Sequence, residues 1–180
     1  YQQLEKVVSK LLPDVLRIFN DTSLKVCEGQ QYDMDFESLE NVSLDDYLKM
    51  ISLKTAVLMA GAAEIGALCG GAGRDECSSI YDFGMELGMA FQIRDDIRDS
   101  FGTTDKLGKN IGGDILEAKK TYLTVTAMQT AGEETRIQLA GLLHNKEMIP
   151  EQKIERVISI YEELGVRSKA EKAVSHYTSR

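Results

Sequence analysis

The residues best able to do chemistry lie in one short string, Phe91-Gln92-Ile93-Arg94-Asp95-Asp96-Ile97-Arg98-Asp99. On a helix, Gln92, Asp95/Asp96 and Asp99 share a face, because positions three and four apart are neighbours. Three carboxylates in five residues oppose helix formation, since like charges at this spacing cost roughly 0.2–0.5 kcal/mol and aspartate is a weak helix former. A hard divalent cation reverses that sign. Magnesium takes oxygen ligands, keeps several waters, and commonly joins one or two carboxylates to a phosphate. The plain alternative is a solvated acidic face balanced by Arg94 and Arg98.

Cationic groups come from elsewhere in the chain. Lys54 is the lone charge in the apolar run from Met50 to Ala63 and has Thr55 beside it. It reads either as an ammonium set in a cavity as a point charge for phosphate, or as a lysine reaching along the helix to water. The segment Gly102–Lys109 holds glycines and lysines but is not a phosphate-binding P-loop. Five residues separate Gly102 from Gly108, and Asn110 stands where Ser or Thr is needed. With Lys106, Lys109, Lys119 and Lys120 nearby it suits a lid closing over an anion, or else an ordinary connector. Gln30, Asp33 and Glu37 form a further polar helical face, a pattern that many amphipathic helices show.

The elements that must position these groups are helices. Leu4, Val7, Val8, Leu11, Leu12, Val15 and Ile18 recur at the helical period, with Pro13 a kink or a break. A turn near Asn20–Ser23 is expected to lead into a second helix, Leu24 to about Leu39. Ser43 suits an N-cap, with Asp46 in the first turn of a long helix from Leu44 to about Leu68. The string Cys69-Gly70-Gly71-Ala72-Gly73 stops it. The next helix carries the aspartates to about Asp99. Ser100–Gly113 reads as a loop, long enough to suggest a function. Helices are then expected over Thr121–Thr130, Glu133–Asn145, Pro150–Leu164 and Val166–Tyr177, with Pro150 in a first turn. Period-two alternation is missing, so the fold class is all-α, a helical bundle.

Composition narrows the function classes. The 180 residues carry a net charge of −8, with no Lys/Arg-rich tract. That argues against nucleic-acid binding, which relies on clustered cations. Cys27, Cys69 and Cys77 have neither paired number nor CxxC spacing, and read as reduced thiols of a cytoplasmic protein. Met50–Gly73 is long and apolar, but Lys54 and Glu64 would each cost roughly 2.5–3.5 kcal/mol at a bilayer centre. A buried bundle helix without stable membrane insertion is the expectation.

The strings EGQQYDMDFE, YLKMISLKTAVL, FQIRDDIRD and GKNIGGDILEAKKTY, in this order and spacing, resemble four consecutive motifs of the trans-isoprenyl diphosphate synthases, the polyprenyl synthetases. The resemblance covers roughly Leu24 to Tyr122 and implies the helical bundle of the isoprenoid (terpenoid) synthases. It implies prenyl transfer: head-to-tail condensation of isopentenyl diphosphate with an allylic diphosphate, with Mg2+ as cofactor. Asp95, Asp96 and Asp99 match the family's second aspartate-rich motif, with Asp95 the principal metal ligand. Gln30 and Asp33 match a GQxxD motif lining the same cavity, and Asp33 supports the metal's water shell. Lys54, Thr55, Gln92, Lys109 and Lys119 match residues that hold the allylic diphosphate. Lys54, Gln92, Asp95 and Lys109 carry the catalytic roles. Ala118 replaces a glycine that many members have, a departure bearing on local backbone geometry.

The family's first aspartate-rich motif and its isopentenyl diphosphate region are not found here, and no DDxxD string occurs away from Asp95. The chain opens at Tyr1 inside a helical pattern. The expectation is therefore that residues 1–180 are the C-terminal portion of a single polyprenyl synthase domain, incomplete at its N-terminus, and a homodimer as the intact enzyme. Three alternatives remain: a non-catalytic subunit or half-synthase needing another chain, a terpene cyclase, and a plain helical interaction module.

Overall fold

Apolar residues three and four apart become helices from Leu12 onward, while Val7, Val8 and Leu11 lie outside the first helix, so the pattern breaks just ahead of Pro13. Residues 7–102 and 111–179 of the computed structural model are described, and all regular structure among them is helical. In chain order these are α1 (Leu12–Ser38), α2 (Leu44–Ile51), a π-helical turn (Ser52–Ala56), α3 (Val57–Cys69) and α4 (Arg74–Phe101). They are followed by α5 (Gly113–Leu116), α6 (Tyr122–Thr130), α7 (Glu133–His144), α8 (Pro150–Glu163) and α9 (Val166–Thr178). The chain divides into two compact units, one of residues 1–35, 48–92 and 177–180, the other of residues 36–47 and 93–176.

In the first unit, Val15, Ile18, Met50, Ile51, Val57 and Met89 are buried. Small residues set how closely the helices approach. A Cβ on Gly84 or Gly88 would collide with the backbone of Ala60 or Ala56, so α3 and α4 meet nearly backbone to backbone. The 26 residues Leu44–Cys69 are long and apolar enough to cross a membrane by length and composition. Here Ala56 and Ala60 are fully buried beneath α4.

The second unit is built on α6, whose residues Tyr122–Ala127 are all buried. Its N-cap Thr121 accepts a hydrogen bond from the Thr124 N–H at 3.2 Å, and the Thr124 hydroxyl shares one with Tyr161 at 2.8 Å. Helices α7 and α8 pack together, α6 touches both, and α5 lies against α8. Ile115 is 1% exposed, so burying it contributes about 2 kcal/mol to holding the four-residue α5 in place.

Pro150 stands in the first turn of α8 as expected. Ser43 and Asp46 form a reciprocal capping box: the Asp46 N–H donates to Ser43 Oγ at 3.0 Å, and the Ser43 N–H to Asp46 Oδ2 at 3.3 Å. Two expectations need correction. The turn near Asn20–Ser23 does not exist, because α1 runs through it. Ser23 Oγ donates back to the Phe19 carbonyl at 2.7 Å, and Asp21 pairs with Lys25 at 2.7 Å, so the polar residues bond within the helix. The long helix after Ser43 is also not uniform, since its middle widens into the π turn that carries Lys54 and Thr55.

Candidate functional site

In the first unit the site residues gather around that π turn. The Val57 N–H donates to the Ser52 carbonyl five residues back, one more than an α-turn encloses. A Cβ on Gly29 would strike the backbone of Leu53 and Lys54, so only glycine lets α1 lie this close to the widened turn. That approach sets Asp33 of α1 opposite Lys54, whose ammonium donates to Asp33 Oδ2 at 2.6 Å. Both side chains are about one-third exposed, at 34% and 33%, so the pair remains reachable from solvent. The adjacent Thr55 hydroxyl donates to Gln92 Oε1 at 2.8 Å, which directs the amide NH2 of Gln92 away from Thr55. Gln30 lies exposed on α1.

The second unit holds the aspartates, and the structure separates their roles. Asp95 is exposed and Asp99 half-buried. Asp96 is 4% exposed, where its Oδ2 accepts from the Tyr47 hydroxyl at 2.5 Å and the Tyr122 N–H at 2.8 Å. There its carboxylate fastens α2 and the start of α6 to α4. Burial, with the Asp96 charge adding to it, holds the Tyr47 phenol well above its ordinary pKa.

Asp99 reaches the segment beyond α4. Its Oδ2 accepts from the Asp114 N–H at 3.0 Å, and its carbonyl from the Gly112 N–H at 2.7 Å. The Lys119 ammonium sits 3.0 Å from both Asp114 Oδ1 and Glu117 Oε2. Burial raises the Asp99 carboxyl, the Asp114 N–H opposes this, and the charges of Asp114 and Asp95 push it further up. Lys119 is held well above the ordinary lysine value, first by its hydrogen bond to Asp114. Ala118, just before Lys119, adopts φ 53°, the left-handed conformation that explains why glycine suits this position. Lys109 and Lys106 lie outside the described residues.

Among the described residues no three His, Cys, Asp or Glu side chains come close enough to enclose a metal ion. The groups whose charges act on Asp99 include the carboxylates of Asp114 and Asp95, oxygen donors like its own. That chemistry fits a hard cation held mainly through water and a bound phosphate, since magnesium is seldom caged by protein alone. Sequence reasoning missed Asp114, Tyr47 and Gly29. All three stood inside quoted motifs, but nothing local marks the partner of Tyr47, 49 residues away.

Among the described residues the regular structure is all helical, with the Lys54–Asp33 pair in one unit and Asp95, Asp99, Asp114 and Lys119 in the other. Residues 1–163 match the polyprenyl synthetase family, and the chain belongs to it. It is 37% identical over 157 residues to the short chain isoprenyl diphosphate synthase of Methanothermobacter thermautotrophicus, covering 87% of this chain and 47% of that one. It is 35% identical to the geranylfarnesyl diphosphate synthase of Aeropyrum pernix, covering 91% and 50%. A crystal structure of a geranylgeranyl pyrophosphate synthase superposes with a TM-score of 0.92 at 38% identity, covering 99% of this chain and 56% of that one. The chain thus spans about half the length of the relatives it matches.

Proposed function

We propose that this chain takes part in prenyl transfer between an allylic diphosphate and isopentenyl diphosphate, supplying the allylic-diphosphate residues. The observation that carries the reading is Asp99 accepting from the Asp114 N–H, with the Asp95 charge acting on it and Lys119 paired with Asp114, in a chain of this family. In the reaction the allylic C–O bond breaks and its electron pair leaves with diphosphate. The isopentenyl double bond then attacks the allylic cation, and loss of a proton restores an alkene.

Asp95 and Asp99 would hold magnesium, which when bound neutralises charge growing on the departing diphosphate. The family resemblance assigns Lys119 and Lys54 to diphosphate oxygens, and within its own unit each is oriented by a carboxylate, Asp114 and Asp33 respectively. Donors fixed in advance stabilise developing charge with little reorganisation. The amide NH2 of Gln92, directed by Thr55, adds a neutral donor. Asp96 sets where α4 presents Asp95 and Asp99. The reading extends to Lys109 as a lid lysine and to a cytoplasmic, homodimeric enzyme.

Isothermal titration with inorganic diphosphate in the presence of Mg2+ tests the proposal. Micromolar binding that needs Mg2+ is expected, weakened at least tenfold by Asp95→Ala and by Lys54→Ala. Unaltered affinity in both variants, or no binding by the wild type, would sink it. Because the sequence lacks the first aspartate-rich motif, the 180-residue chain alone is expected to bind diphosphate without forming prenyl product.

A second reading is a subunit or half-synthase completed by another chain. An antibody to this chain distinguishes the two by the protein's mass in its source cells. A mass well above 20.0 kDa supports a single long synthase, and a mass near it supports the two-chain form.

A further inference from the structure

An ammonium enclosed by protein is unfavourable unless acceptors take its protons. Lys153, in the first turns of α8, is 4% exposed. Its Nζ donates to the Leu143 carbonyl at 2.5 Å and lies 3.4 Å from that of Leu116. Leu143 belongs to the last turn of α7, and Leu116 is the last residue of α5. Final carbonyls of a helix lack partners within it and carry partial negative charge. One buried cation therefore closes the ends of two helices, with no salt bridge to a carboxylate among the described residues. Burial lowers its pKa, and the charge of Lys146 lowers it further.

The neighbouring residue acts at the other end of α5. Gly112, the α5 N-cap, has φ 80°, and a Cβ there would lie 2.6 Å from Ile154 Cγ1 and 2.7 Å from its Cδ1. Consecutive residues of α8 thus hold both ends of α5: Ile154 under Gly112, Lys153 on Leu116. A helix of four residues has no stability of its own and goes where it is held. Asp114 lies inside it, and the Lys119 N–H donates to the Asp114 carbonyl at 2.9 Å just beyond its end.

We infer that Lys153 is a positioning residue that fixes Asp114 and Lys119 through the C-terminal end of α5. The inference rests on the proposed diphosphate reading for its functional meaning. A residue needed only to fill space at this point could be methionine; the ammonium adds a fixed placement of the Leu116 carbonyl and of the turn through Ala118.

The test compares the wild-type chain with Lys153→Met and Lys153→Arg, using 15N NMR spectra and calorimetric titration of inorganic diphosphate with Mg2+. In Lys153→Met the amide signals of Asp114 and of residues 116–119 should move. Affinity should fall about tenfold, the effect expected of groups that support ligating side chains. Lys153→Arg should recover most of it. If Lys153→Met does not fold, Ile154→Val, which loosens the other end of α5, should shift the same amides. Unmoved amides with unchanged affinity in a folded variant overturn the inference. Absence of diphosphate binding by the wild type removes the functional reading, while the amide shifts still decide whether Lys153 positions α5.

Discussion

Two adjacent aspartates on one helix do opposite things here. Asp95 faces out, whereas Asp96 shares the buried face of Ile93, Ile97 and Ser100. Asp96 lies three positions from Ile93 and beside Ile97, so helical spacing alone could have placed it inward. What spacing could not supply was the partner, Tyr47. Ala118 is the residue where a small change should help. Its left-handed conformation costs an L-residue about 1–2 kcal/mol, while glycine's greater freedom when unfolded returns part of that. Ala118→Gly is expected to stabilise the chain by about 0.5–1 kcal/mol in urea melts. A loss of stability would show that the φ 53° turn stores no strain.

At the scale of elements, helix positions were legible because burial follows apolar period, and stops follow glycine and proline. The N-cap at Ser43 and the proline opening α8 came directly from residue chemistry, while the reciprocal bond between Asp46 and the Ser43 N–H did not. Continuity of α1 did not, since Asp21 and Ser23 carry turn-forming side chains whose bonds back into the helix depend on conformation already being helical. The π turn had no sequence mark at all, because it follows from α1 and α4 pressing against it through Gly29 and Gly88. That dependence is testable. Gly88→Ala should destabilise the chain by about 1–3 kcal/mol through overpacking. It should also speed hydrogen exchange at residues 52–57 more than in α8. Equal exchange in both places would argue that the widened turn does not rely on α4.

For the molecule as a whole, the acidic balance and missing period-two pattern were enough to set the class, while the division into two units was not legible. Compactness depends on contacts between residues far apart in sequence, such as Thr124 with Tyr161. The buried phenols set an alkaline limit. Tyr47 and Tyr161 both have pKa values raised first by burial. Each binds its proton more tightly when folded, so their contribution is intact below about pH 10, where unfolded tyrosine titrates. It is lost as pH rises above that. Melting temperature should be flat from pH 8 to 9.5 and fall from pH 10 to 11.5, with a shallower fall in Tyr47→Phe. An identical slope in the variant would count against Tyr47.

The π turn also governs how this stretch tolerates changes of length. Successive α-helical residues advance by about 100°, and the widened turn holds one residue beyond the α count. Removing one residue between Ser52 and Ala56 would let the chain close into a straighter, locally more regular helix. Residues after it would keep their faces, because the turn closes by the one residue it holds in excess. A deletion between Val57 and Ala60 would instead turn Ala60 by about 100° away from Gly84. The widened turn is thus the place in this stretch where the loss of a residue disturbs the packing least.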